Sequence, residues 1–158
     1  MSFPNKVIKN QRVIAFDFYD GVIEGLASSI KQHGKCYFKL IAWDQSQDKR
    51  LYIVSEADKL KYDKLLTLLT RTQEQPSTLV WFPKWYFYDE DDEQEANGII
   101  EFFQISLYSS KLLALGRDIC DNSLRIIDAS NQAIDKLNKS LRLDKPEELS
   151  DWMAVLAK

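Results

Sequence analysis

The strongest constraint on the fold lies between Arg12 and Val54, where short β-favouring segments follow one another with turn-forming residues between them. Ile14, Phe16 and Phe18 alternate with Val13, Ala15 and Asp17, a period of two that predicts a strand. Tyr19-Asp20-Gly21 supplies a turn, and Val22 to Ile30 runs back as a second strand, in which Gly25 weakens the interior or marks a bulge. His33-Gly34-Lys35 reverses the chain into Cys36–Trp43, and the polar stretch Asp44 to Lys49 leads into Arg50–Val54. Four antiparallel strands in a meander are the simplest reading.

Downstream, Tyr62, Leu65, Leu66 and Leu69 fall at helical spacing, and Ser55 with Asp58 resembles a capping box, which predicts a helix from about Ala57 to Arg71. Leu79 to Tyr88 is aromatic and β-favouring, but Pro83 cannot donate to a ladder, so this strand belongs at an edge. Asn97-Gly98 reads as a turn and Gly98 to Tyr108 as a returning strand, which makes a central aromatic hairpin with a long acidic tip. Lys111 to Asp128 reads as a second hairpin. Ile134, Leu137 and Leu141, then Leu149, Trp152, Met153 and Leu156, predict two closing helices. The expected fold class is α+β: an antiparallel sheet, made of the N-terminal four-stranded meander plus the central aromatic hairpin, packed with one middle helix and two C-terminal helices. No repeat or long linker divides residues 1–158, so a single domain is expected.

Composition narrows the functional classes. Apolar residues make up 45% and charged residues 28%, which argues against disorder and against a fibrous repeat. Apolar runs such as Leu79–Phe82 and Leu112–Leu115 fall far short of the roughly 20 residues of a membrane span, and the first twelve residues lack a signal-peptide core. A cytoplasmic protein without a membrane partner is expected. The two cysteines, Cys36 and Cys120, then read as reduced core thiols, and with the single His33 they are too few for a closed structural zinc site. No metal and no cofactor is expected. The five glycines form neither familiar phosphate loop, and a net charge of −3 argues against a general nucleic-acid binder.

One string invites an enzymatic reading. Val13-Ile14-Ala15-Phe16-Asp17-Phe18-Tyr19-Asp20-Gly21 is an apolar strand ending in two aspartates, and it resembles the opening motif of the haloacid-dehalogenase family. That resemblance implies a phosphotransferase using Asp17 and Asp20, with Gly116-Arg117-Asp118-Ile119-Cys120-Asp121 cast as its later acidic motif. The family separates its aspartates by one residue, whereas two separate them here, which on an extended strand sends them to opposite faces. The alternating βαβ pattern of a parallel sheet is also missing. The plainer reading is a strand end and a turn. A Cys36–His33 dyad is a second, weaker catalytic pairing.

The block Trp81-Phe82-Pro83-Lys84-Trp85-Tyr86-Phe87-Tyr88 is followed by Asp89, Glu90, Asp91, Asp92, Glu93 and Glu95, six acids in seven positions. Without them the chain has 18 acids against 21 bases, so the negative charge is concentrated here. On a loop these carboxylates would repel one another and give the folded monomer little. One account is structural, a second aromatic face covered by the C-terminal helices beside a solvated acidic loop; the other makes Trp85, Tyr86 and Tyr88 with Asp89, Glu90, Asp91, Asp92 and Glu93 the candidate partner-binding set, aromatic anchors beside an acidic loop. The expected function is a small cytosolic protein-binding module for a basic protein partner, one form of which is an inhibitor or immunity protein entering the cleft of a nuclease-like toxin. The alternatives are the hydrolase or phosphotransferase just described and a self-associating structural subunit that homo-oligomerises through the aromatic strand.

Overall fold

The computed structural model describes residues 13–28, 30, 34–70, 79–81, 87, 89–119 and 123–157. Strands β1 (Val13–Phe18), β2 (Val22–Ala27), β3 (Cys36–Asp44) and β4 (Lys49–Glu56) form the expected antiparallel meander. Helix α1 (Lys59–Thr70) follows, then β5 (Leu79–Trp81), α2 (Glu90–Ser106), the hairpin β6 (Leu112–Gly116) and β7 (Arg125–Asp128), α3 (Asn131–Ser140), β8 (Glu147–Glu148) and α4 (Ser150–Leu156). The sheet order is β5-β1-β2-β3-β4-β6-β7. β4 pairs along nearly all of β3, and β2 takes the first half of the opposite edge. β8 takes the second half, in parallel, pairing Ala42 with Glu147 and Trp43 with Glu148.

The strands read as nearly continuous apolar runs because both faces of the sheet are buried. Along β4, Leu51 and Ile53 face one core while Tyr52 and Val54 face another, and Leu113 and Ala114 of β6 divide in the same way. All four helices cover the first face. α1 contributes Tyr62, Leu65, Leu68 and Leu69, α2 contributes Ala96, Ile99 and Phe103, α3 contributes Leu137, and α4 contributes Trp152, which is fully buried. Among the described residues, the second face is covered by Ile30 and by Ile119 and Leu124 of the β6–β7 connection. Tyr52 pins that connection: its hydroxyl donates to the Val22 carbonyl at 3.1 Å and accepts from Ile119 N at 3.1 Å.

Local chemistry explains several irregularities. Gly25 faces the first strand where the Ile14 carbonyl oxygen lies only 1.9 Å from the place a Cβ would take, beside the register shift at Ala15–Asp17. A further shift, between Leu40 and Ala42, puts Ile41 and Ala42 both into the helix-covered core. The α1 start lies at Asp58, whose carboxylate accepts from Lys61 N at 2.9 Å; Ser55 instead meets the Ser106 hydroxyl at 3.0 Å. In α4, Leu149 and Trp152 are buried while Met153 points outwards, so the expected four-residue apolar face is narrower than its spacing suggests.

The central aromatic hairpin is the main correction. The start of its first arm is β5, an edge strand among the described residues, while Pro83 and most of the rest of that arm lie outside them; β5 runs parallel to β1, pairing Val13 with Leu79 and Ala15 with Trp81. Its second arm, Gly98 to Tyr108, is helical up to Ser106, so a second central helix joins the expected middle one. Asn97-Gly98 lies inside that helix. The β-favouring run Ile99-Ile100-Glu101-Phe102-Phe103 is overridden because Ala96, Ile99 and Phe103 share the helical stripe that meets the sheet. No helix among the described residues is long and apolar enough to cross a membrane.

Candidate functional site: the acidic turn and outer face of α2

The acidic window is the first turn of α2 and not a loop. Asp89 is its N-cap, extended at φ −108° and ψ 122°, with its carboxylate accepting from Asp91 N at 2.9 Å. Glu90, Asp91, Asp92 and Glu93 fill the first turn, where the positive end of the helix dipole stabilises negative charge. That attraction offsets part of the repulsion among them. Glu95, one turn on, meets Lys64 of α1 at 3.6 Å. Glu90, Asp91 and Glu93 have no cation within 4 Å among the described residues, and Asp89, Glu90 and Asp91 are exposed.

Three contacts hold this helix in place. Ala96, Ile99 and Phe103 pack on the sheet, with the Phe103 ring stacked 5.7 Å from Tyr37. Gln104 donates to the Glu24 carboxylate at 3.0 Å, and the buried Tyr37 hydroxyl donates to the same oxygen. Burial, with the Glu24 charge beside it, pushes the Tyr37 phenol far above its ordinary value, so it acts as a neutral donor. Ser106 caps the arrangement at Ser55.

With its inner stripe so fixed, α2 turns Phe102 and Ile105 outwards, and Tyr108 follows in the 3-10 turn after it. Ile105 is 61% exposed and Leu60, on α1, 80%. Lys61 Nζ sits 4.5 Å above the Phe102 ring, which ties the two helices across this face. Leu60, Lys61, Lys64, Glu95, Gly98 and Ile99 line a shallow cleft of about 360 Å³ between them. Phe102, Ile105 and Tyr108 were not legible as a helical face because 98–108 reads locally as a strand; the spacing of Ala96, Ile99 and Phe103 was one signal for the helix.

Of the sequence-predicted set, Asp89, Glu90, Asp91, Asp92 and Glu93 come together on one helical turn. Trp85, Tyr86 and Tyr88 lie outside the described residues, as do His33 and Cys120. Phe87, between two of those aromatics, is half-buried against the helix-covered core. Cys36 is buried, its thiol donates to the Gly34 carbonyl at 3.3 Å, and burial with the Glu56 charge pushes its pKa up to about 12. A thiol so protonated is a poor nucleophile.

Asp17 and Asp20 line two adjoining clefts that share Trp43 and Gln45. Asp17 lines a cleft of about 530 Å³ together with Tyr19 and Asp144, while Asp20 lines the adjoining one of about 260 Å³ with Asp44, Asp48 and Arg50. Asp20 is in the left-handed region at φ 50°, and its carbonyl accepts from the buried Arg50 guanidinium. Asp118 does reach this turn, but its carboxylate accepts from the Val22 backbone N–H at 2.9 Å. Among the described residues no group of three or more His, Cys, Asp or Glu side chains is disposed to hold a metal ion. Comparison with protein-family models, curated proteins and solved structures finds no match.

Proposed function

We propose that this protein is a protein-binding module that engages a basic partner through the acidic first turn of α2 and the outer α1–α2 face. The observation that carries the reading is that one helix bears Glu90, Asp91 and Glu93 in its first turn, without a described cation, and the outward-facing Phe102 and Ile105 about three turns further on, with Leu60 exposed on the neighbouring α1. Large apolar side chains exposed together beside charge are the composition of an interface with anchors and a steering rim. Charge complementarity makes the occupant basic. An inhibitor whose carboxylates enter the cationic cleft of a nuclease-like toxin is the concrete form of this reading.

The test uses the wild-type chain, Ile105→Glu, and a variant with Glu90→Gln, Asp91→Asn and Glu93→Gln, each immobilised and presented with the products of neighbouring genes. The reading expects a basic protein whose binding to wild type weakens as salt rises, is lost in Ile105→Glu, and is slowed in the triple variant at low salt. Equal binding by all three chains overturns it. A concentration-dependent dimer of the wild type that Ile105→Glu dissolves would assign the face to self-association instead.

A further inference from the structure

We propose that the cleft between the β1–β2 turn, the end of β3 and the α3–β8 connection binds an organic cation carried on a short alkyl stem, a guanidinium or an alkylammonium. The cleft, at about 530 Å³, is of a size that holds small ligands. Two aromatic rings form its walls: Tyr19, 59% exposed, and Trp43, with ring centroids 6.2 Å apart and planes tilted by 48°. Ile23 and Pro146 add apolar surface for a stem. Two aspartates from unrelated elements line it, Asp17 of β1 and Asp144 of the α3–β8 connection. Rings and carboxylates together recognise a cation that an anion or a neutral group would not match.

The walls are held before any ligand arrives. Trp43 also borders the adjoining cleft, where Arg50 Cζ lies 5.7 Å from its ring, and the same guanidinium donates to the Asp20 carbonyl next to Tyr19. Trp43 therefore already packs against one cation, the Arg50 guanidinium. Arg50 is 5% exposed and lines the adjoining cleft, and it is not among the described residues that line the larger one. Leu149 N donates to the Trp43 carbonyl at 2.8 Å, which fixes the α3–β8–α4 side. Among the described residues, Lys145 is the one cation in the lining, and it is exposed. Its ammonium opposes an incoming positive charge, so it sets the affinity low and gives the test a variant with the opposite sign.

The experiment titrates butylguanidinium and butylammonium into the full chain, followed by NMR at the Trp43 indole and Tyr19 ring, with butylurea as the neutral isostere. Both cations should move these signals saturably, and butylurea should bind about tenfold more weakly, the loss expected for a charge-assisted hydrogen bond. Asp17→Asn with Asp144→Asn should weaken the cations by about tenfold with an unchanged melting temperature, and Lys145→Gln should tighten them by about threefold. Acetyl-arginine-amide in a second arm separates the sources: tighter binding than butylguanidinium assigns the cleft to a basic side chain of a protein, and exclusion assigns it to a free small molecule. Equal binding of butylurea, indifference to the Asp17/Asp144 variant, or weakening by Lys145→Gln would each overturn the proposal.

Discussion

At the start of α2, Asp89 holds the helix's own first turn, through Asp91 N, whereas at the turn end of the sheet Asp44 and Asp118 hold the backbone of loops. Asp44 accepts from Ser46 N at 3.1 Å, the Ser46 hydroxyl at 2.7 Å and Gln47 N at 3.2 Å, which builds the β3–β4 turn. Asp118 reaches across 96 positions to close the β1–β2 turn. One residue type thus serves as structural cement in one region and as a surface field in the other. The difference lies in which N–H groups each carboxylate satisfies, and density of charge in the sequence does not reveal it.

The largest expected effect tests the sheet end. Gly21 has φ +136°, and a Cβ there would sit 2.4 Å from the Asp118 carboxylate and 2.6 Å from the Arg50 guanidinium, both held by hydrogen bonds. Gly21→Ala should cost about 3 kcal/mol in a denaturant melt, from backbone strain and displaced partners. A loss below about 1 kcal/mol would show the turn to be soft and the contrast with α2 overstated. Asp118→Ala should cost about 2 kcal/mol by stranding the Val22 N–H in the core, and Asp118→Asn, which keeps an acceptor, should cost clearly less. Equal losses in the two variants would mean that the charge and not the bond matters.

At α2 the effects should be smaller. Asp89→Ala should cost about 1 kcal/mol through loss of the N-cap, while Asp89→Asn, an equally good cap, should melt within a few tenths of wild type. The triple variant at Glu90, Asp91 and Glu93 should change stability by less than about 1 kcal/mol, because lost dipole attraction and relieved repulsion oppose each other. The smallest effect belongs to pH. Hydrogen bonding to the Ser46 hydroxyl, joined by the Ser46 and Gln47 amides, holds the Asp44 carboxyl below its ordinary 3.8. Its contribution is present above that value and is lost as pH falls through the lowered one, so the Ser46 and Gln47 amide signals should stay fixed at neutral pH and move only in acid. Movement between pH 5 and 7 would contradict that link.

The meander was legible because its periodicity is local: β1 alternates, and β3 and β4 are bounded by turn residues. α1, α3, α4 and the β6–β7 hairpin were legible for similar reasons. α2 was not, since Asn97-Gly98 and the isoleucine- and phenylalanine-rich run after it favour turn and strand when read locally. The missed cue was the acid cluster itself, an aspartate followed by four acids, which is the composition of a helix start. Without the helix, the acids read as a repelling loop and Phe102 and Ile105 as strand residues, so only half of the α2 surface could be named. The large cleft depends on residues as distant as Asp17 and Asp144, and no spacing rule joins them.

The pairing of β8 with β3 bears on the order of folding. Most of the meander pairs sequence neighbours, but the outer edge of β3 at Ala42 and Trp43 pairs with Glu147 and Glu148, far along the chain, and should close later. Closing so long a loop is slow relative to forming hairpins. A chain that has formed its first four strands therefore carries an open edge at Trp43 for a time, and that edge is a template for a stray strand. The two glutamates that finally cover it are poor strand formers. Refolding yield, more than final stability, is where a change at Glu147 or Glu148 should register.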